Sequence, residues 1–198
     1  MSAVAKPEPV PELSTNPDIT LEELQLAARN HSMPLEALQY PITPIGLHYL
    51  LTHFDIPWVD PAVWRLTIGG RVRDSLTLTL EDLRRRPAIM RAVTLECAGN
   101  GRAKLSPRPI SQPWLFEAVG NAEWTGTPLR PLLEAAGPLD DAVEVVFTGL
   151  DRGVQRDIEQ QYERSLTLPE ASREGVFLAY AVNGQALPPQ HGFPLRLV

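Results

Sequence analysis

Thr94-Leu95-Glu96-Cys97-Ala98-Gly99-Asn100-Gly101-Arg102 holds the only cysteine of the 198-residue chain. Val93, Leu95 and Cys97 alternate with polar residues, which predicts a strand with one buried face. The run then breaks into Gly99-Asn100-Gly101. Those residues accept positive φ and leave backbone N–H groups free to point at a ligand. On the residues alone, two readings of Cys97 stay open. An isolated cysteine is most often a small core filler. A sulfur at a strand end, followed by a small-residue loop and Arg102, is also the layout of a site.

The charge around this stretch separates it from the rest of the chain. Net charge is −6, which argues against nucleic acid as a partner. Between Arg84 and Arg108, however, lie seven basic residues (Arg84, Arg85, Arg86, Arg91, Arg102, Lys104, Arg108) and one acidic residue, Glu96. A local positive field of that kind draws small anions and favours a thiolate. Arg84 to Arg86 read as the dipole-matched end of a helix; Arg102 reads as a site residue. One cysteine makes no internal disulfide, and the N-terminus has neither an apolar signal core nor twin arginines. The expected compartment is therefore cytoplasmic, or periplasmic if a signal has been removed. No apolar run approaches the roughly 18 residues of a membrane span, so no membrane partner is expected.

Outward along the chain, residues 1–17 carry four prolines and read as a Pro-rich, disordered arm. Thr20 and Glu23 form a capping-box pattern for a helix from Leu21 to about Arg29. Met33 to Tyr40 predicts a helical turn opened by Pro34, and Leu47 to Phe54 an extended segment. Trp64 to Ile68 and Leu76 to Thr79 predict short strands. Thr79 with Asp82 caps a helix that ends before Pro87. Ser106 to Pro113 is loop. Thr127-Pro128 is expected to open a helix closed by Gly137. Val143 to Thr148 and Val176 to Val182 predict strands, the second turning at Asn183-Gly184, a type I′ hairpin signal. Phe193 to Val198 reads as a final strand. Without regular βαβ alternation, the expected class is α+β, mixed β-sheets with short helices. There is no P-loop, no dinucleotide fingerprint and no metal spacing of the Cys-x-x-Cys type; His48 and His53, five apart, suit no common zinc site.

Taken together, these residues resemble the sulfite oxidase family of molybdopterin enzymes. Cys97-Ala-Gly-Asn-Gly-Arg102 is similar to its cysteine motif. Thr52-His53-Phe54-Asp55-Ile56-Pro57 resembles its Asn-His-Leu-Pro-Val-Pro stretch. Trp114 and Trp124-Thr-Gly match its paired tryptophans, and Phe147-Thr-Gly-Leu-Asp151 its Phe-x-Gly-Leu-Asp. Leu178-Ala-Tyr-Ala-Val-Asn-Gly184 and His191-Gly-Phe-Pro-Leu-Arg196 match two further signatures. The likeness covers roughly residues 42–198, and the order of the motifs makes it specific.

The resemblance implies the fold of that family's molybdenum-cofactor domain. It implies a cofactor, Mo-molybdopterin, with the Cys97 thiolate as metal ligand; a soft sulfur suits a metal already bound by sulfurs. His53, Asp151, His191 and Arg196 would hold the pterin and its phosphate, with backbone groups near Tyr49 to Thr52. Arg102 and Trp114, beside Cys97, would line the catalytic pocket. The implied activity is oxidation of sulfite or a related small anionic sulfur substrate by oxygen-atom transfer, with electrons passed to an external acceptor such as a cytochrome c. Leu51 stands where sulfite-oxidising members carry a substrate arginine. Residues 18–198 are expected to be the molybdopterin-binding domain, cut short at the C-terminus and lacking the Ig-like domain through which the family forms homodimers. The alternatives are a non-catalytic or cofactor-poor fragment, and a hydrolase using Cys97 as nucleophile with His191.

Overall fold

The computed structural model describes residues 26–155 and 157–198. The Pro-rich arm and the first part of the helix expected from Leu21 lie outside these residues. What is described of that helix is a turn closed by the Arg29 N–H on the Leu26 carbonyl.

A five-stranded antiparallel sheet organises the fold. Its path is β3 (Ile89–Glu96), β4 (Val119–Pro128), β7 (Phe177–Val182) and β8 (Gln185–Ala186), with β9 (Arg196–Leu197) also paired to β7. β3 and β4 run in unbroken register from Ile89 opposite Gly126 to Glu96 opposite Val119. That register delivers Cys97 to the end of the sheet, where its N–H bonds the Ala118 carbonyl at 2.8 Å. Two smaller pairs flank the sheet: β1 (Leu66–Ile68) with β2 (Leu76–Leu78), and β5 (Glu144–Gln155) with β6 (Ile158–Thr167). Every strand pair among the described residues is antiparallel.

The helices are short and locally specified. α1 (Leu80–Arg84) opens on the expected capping box, in which Thr79 and Asp82 satisfy each other's backbone N–H groups. α3 (Leu168–Ala171) uses the same device with Thr167 and Glu170. Met33 to Tyr40 forms its turn as a 3-10 segment, Leu35–Gln39, behind Pro34. Asn183 and Gly184, with φ of 48° and 75°, make the expected type I′ hairpin into β8.

Two boundaries differ from expectation. The helix expected to open at Thr127-Pro128 is α2 (Arg130–Ala136), and its N-terminal proline is Pro131. Thr127 and Pro128 instead end β4, opposite Leu178 and Phe177. A proline is tolerated at a strand terminus, where the ladder needs no further N–H. Gly137, with φ of 64°, closes the helix as expected. The strand expected to stop at Thr148 continues to Gln155 after an irregularity between Thr148 and Arg152, which includes Gly149-Leu150-Asp151. Leu47 to Phe54 forms no strand; Leu50 makes a single bridge with His31.

Side chains on the two faces of the central sheet fill two cores. On one, Leu83, Leu129, Leu132, Leu133, Ala171 and Leu178 pack together. On the other, Trp124, Phe177, Val182 and Leu187 close around Ala122 and Ala179. Fully burying a large apolar side chain contributes roughly 1.5–3 kcal/mol. The second core is the floor of the site: His48 meets Trp124 edge-on, and the Arg196 guanidinium lies 5.1 Å from the Trp124 ring centroid.

Candidate functional site

The loop after β3 is built around its backbone. The Asn100 N–H bonds the Cys97 carbonyl at 2.8 Å, and the Gly99 N–H points at Cys97 Sγ from 3.4 Å. Asn100 ties the loop to the next strand by donating to the Glu96 carboxylate and the Phe116 carbonyl. Gly101 turns at φ of 79°, which starts the 3-10 turn Arg102–Lys104. A side chain at Gly99 would strike the Arg102 guanidinium, so the glycine makes room for that arginine beside Cys97. Arg102 Nη1 donates to Ser111 Oγ at 2.5 Å. Trp114 is buried, its carbonyl accepts from the Ala103 N–H, and its indole N–H has no partner.

The second wall comes from the chain end. His191 is buried at the close of a 3-10 turn, and Arg196 Nη1 donates to its carbonyl at 3.3 Å. The His48 ring stands edge-on to His191, with centroids 5.5 Å apart. Burial, then the neighbouring His48 and Arg196, push the His191 pKa down to about 4, so its ring is neutral at pH 7. Burial also lowers the pKa of His48, against the opposing effect of its Nδ1 contact with the Tyr49 carbonyl. Gly120 makes room for the His48 ring, and His48 Nε2 is buried without a partner.

Tyr49 links the two walls. Burial raises its pKa, Arg196 opposes that, and Cys97 adds to it, which puts all three within electrostatic range. Burial lowers the pKa of Arg196 against the favourable influence of Tyr49 and Tyr162. No carboxylate pairs with Arg196 among the described residues.

The β5–β6 hairpin supplies the third wall. The His53 ring stacks on Tyr162 at 5.0 Å, and Phe54 packs over Gly153. Asp55 anchors the segment: its N–H bonds the Arg152 carbonyl and its carboxylate accepts from the Arg152 N–H. Burial lowers the His53 pKa, followed by Arg164 and Arg102, while Asp151 opposes them. Burial raises the Asp151 carboxyl against a bond from its own backbone, with Asp55 adding to the rise. A cavity of about 330 Å³ opens here between His53, Phe54 and residues 160–164.

Of the seven residues singled out from the sequence, contacts join His191 to Arg196 and Trp114 to the turn that carries Arg102. Tyr49 lies within electrostatic range of Cys97 and Arg196, and His53 within that of Arg102 and Asp151. Trp114 joins through Ala103, next to Arg102. Four further residues take part without having been singled out: His48, Tyr49, Tyr162 and Arg164. Tyr49 lay inside the predicted backbone segment and His48 just before it. Tyr162 and Arg164 sit on a strand the sequence did not reveal. No hydrogen bond joins Cys97 to His191 among the described residues, so the pairing a cysteine hydrolase needs is not formed. No group of three or more His, Cys, Asp or Glu side chains forms a metal cluster among them either.

The residues fit a large anionic cofactor that brings most of its own metal ligands. Among the described residues one thiol is available, three buried ring nitrogens (His48 Nε2, Trp114 Nε1 and Trp124 Nε1) lack hydrogen-bond partners, and the half-buried Arg196 lacks a carboxylate. A half-buried cation without a counter-charge is a natural partner for an anionic ligand.

Residues 53–198 match the family described as the oxidoreductase molybdopterin-binding domain. The chain is 38% identical over 166 residues to a sulfite oxidase of Gallus gallus, covering 79% of this chain and 35% of that protein. It is 34% identical to a sulfite oxidase of Arabidopsis thaliana, covering 79% and 43%, and 32% identical to an NADH nitrate reductase of Ulva prolifera, covering 79% and 19%. The chain thus spans less than half the length of these curated relatives. Its fold is similar to that of the sulfane dehydrogenase SoxCD from Paracoccus pantotrophus, with a TM-score of 0.68 and 25% identity over 96% of this chain and 51% of that one. With a site that fits such a cofactor and a family match over three of its walls, the chain belongs to the oxidoreductase molybdopterin-binding domain family, among relatives that include sulfite oxidases and nitrate reductases.

Proposed function

We propose that the chain binds molybdopterin and serves an oxidoreductase that oxidises sulfite or a related sulfur oxyanion, passing the electrons to an external acceptor such as a cytochrome c. The observation that carries this reading is Arg196, a half-buried guanidinium without a carboxylate that lies by the Trp124 ring and donates to the His191 carbonyl, with Tyr49 in electrostatic range of both it and Cys97.

The cofactor, when bound, supplies a molybdenum centre capable of oxygen-atom transfer and two-electron oxidation. Cys97 would hold the metal, its sulfur kept in place by the Gly99 N–H. Arg196 would take the phosphate, since its planar fork can bond two oxygens. His191 and His53, held neutral, would offer hydrogen bonds without adding charge, and Asp151 would accept from the amino edge of a pterin. Arg102, fixed by Ser111, would balance the charge of an oxyanion as it reacts.

Metal analysis of the purified chain, expressed with cofactor supply, tests the binding. Sulfite-dependent reduction of a dye tests the activity. Molybdenum with sulfite turnover supports both halves. Molybdenum without turnover points to another oxyanion, in keeping with Leu51. A metal-free chain contradicts the proposal.

A further inference from the structure

The cavity beside His53 carries a fixed, exposed cation that the cofactor reading does not use. Along β6, alternate residues face opposite ways, so Tyr162 and Arg164 share a face and Glu163 takes the other. Glu163 is already engaged across the hairpin, accepting from Thr148 Oγ1 at 2.7 Å. Arg164 is left with no carboxylate partner among the described residues. It is nonetheless held in place. Its guanidinium carbon lies 4.3 Å from the Tyr162 ring centroid, and Nη1 donates to the Glu163 carbonyl at 2.6 Å. The same tyrosine ring stacks with His53, so the arginine, the phenol and the imidazole form one continuous wall of the cavity.

Two other arginines act on His53. Arg29 donates to the His53 carbonyl at 3.2 Å, and Arg102 acts on the His53 ring electrostatically. Asp151, Asp55 and Glu163 are the acids near them; the Asp55 carboxylate accepts from the Arg152 N–H, and Glu163, which also lines the cavity, accepts from Thr148 Oγ1. The cavity lining thus carries one cation, Arg164, and one carboxylate, Glu163, whose charge is already engaged by Thr148. An arginine this exposed contributes little to stability by an ion pair it does not make, but an oriented guanidinium offers paired N–H groups to an oxyanion.

We propose that Arg164, oriented on Tyr162, is a specificity-determining residue that selects a small, doubly charged oxyanion for this site. The inference rests on the function proposed above and names the side chain that reads the substrate's charge. A tetrahedral or pyramidal sulfur oxyanion presents two oxygens at the spacing of a guanidinium fork; a neutral sulfoxide presents one and gains less.

Sulfate serves as an unreactive probe, titrated calorimetrically into the full 198-residue chain at low ionic strength, with molybdenum measured on the same preparation. Arg164→Gln should weaken sulfate binding about tenfold and flatten its salt dependence. Arg164→Lys should recover most of the affinity, and Arg173→Gln, a surface charge elsewhere, should change nothing. In metal-loaded protein, Arg164→Gln should raise the sulfite KM about tenfold with kcat within twofold and molybdenum content unchanged. Sulfate binding and KM that ignore Arg164→Gln overturn the inference, as does a wild-type chain that binds no sulfate. A chain without molybdenum fails the cofactor reading alone, because the sulfate titration still reads Arg164.

Discussion

At the scale of single residues, burial decides which side chains carry charge. An imidazole in an unfolded chain takes up its proton near pH 6.5, whereas His191 does so only at about 4. Between those values the unfolded state binds more protons than the folded one. Stability is therefore complete above about pH 6.5 and is lost as pH falls towards 4, on the order of 3 kcal/mol from this residue. His48 and His53 shift the same way and add to the loss. Chemical denaturation at a pH of about 7 and of about 4.5 should show it, and His191→Asn should flatten the difference. A stability that does not depend on pH in this window contradicts the buried, neutral His191. Arg196 sets a complementary test. In the cofactor-free chain its burial cost opposes its contact with Trp124, so Arg196→Gln should change stability by less than about 1 kcal/mol. The same variant should retain molybdopterin at least tenfold less well, measured as pterin bound per chain. Equal retention would remove Arg196 from the site.

At the scale of elements, glycine and small residues in β4 let other parts approach. A Cβ at Gly126 would stand 2.6 Å from backbone atoms of Leu178 and Ala179, at the point where the β4–β7 register shifts. Backbone cannot rotate away, so Gly126→Ala should cost more than about 2 kcal/mol in urea denaturation. Gly175→Ala, with open space around it, should stay within about 0.5 kcal/mol, and equal costs for the two would refute the packing argument. The same small residues explain what the sequence left hidden. The inward positions of β4 are Gly120, Ala122, Trp124 and Gly126, three of them too small to read as an apolar strand face. β6 runs Ile-Glu-Gln-Gln-Tyr-Glu-Arg-Ser-Leu-Thr on an exposed ribbon, so no hydrophobic period marks it. Tyr162 and Arg164 stayed out of sight with it. By contrast, Thr79 with Asp82 and Asn183-Gly184 carry their structure locally, in a side-chain cap and in a turn that needs positive φ, and both were legible. Cys97, His53, Asp151, His191 and Arg196 could be proposed as a group from the sequence only because motifs resembling one family occur in one order.

At the scale of the whole molecule, the central sheet carries Cys97 at the end of β3 and Arg196 in β9, and the β5–β6 hairpin brings Asp151, Tyr162 and Arg164 against the His53 segment. His48 and His191, far apart in sequence, thereby stand edge-on with centroids 5.5 Å apart, and buried ring nitrogens and the Arg196 charge are left for a ligand to satisfy. That fits the proposed cofactor, which would be held chiefly by orientation and charge with a single thiolate on its metal. The most direct test is the molybdenum and pterin content of the chain expressed with cofactor supply, compared with its Cys97→Ser variant. Cys97 is only half-buried, so the variant should fold with nearly unchanged stability, checked by thermal unfolding. The account predicts about one molybdenum per wild-type chain and essentially none in Cys97→Ser. A folded wild-type chain without molybdenum, or a Cys97→Ser chain that binds it equally well, would contradict it.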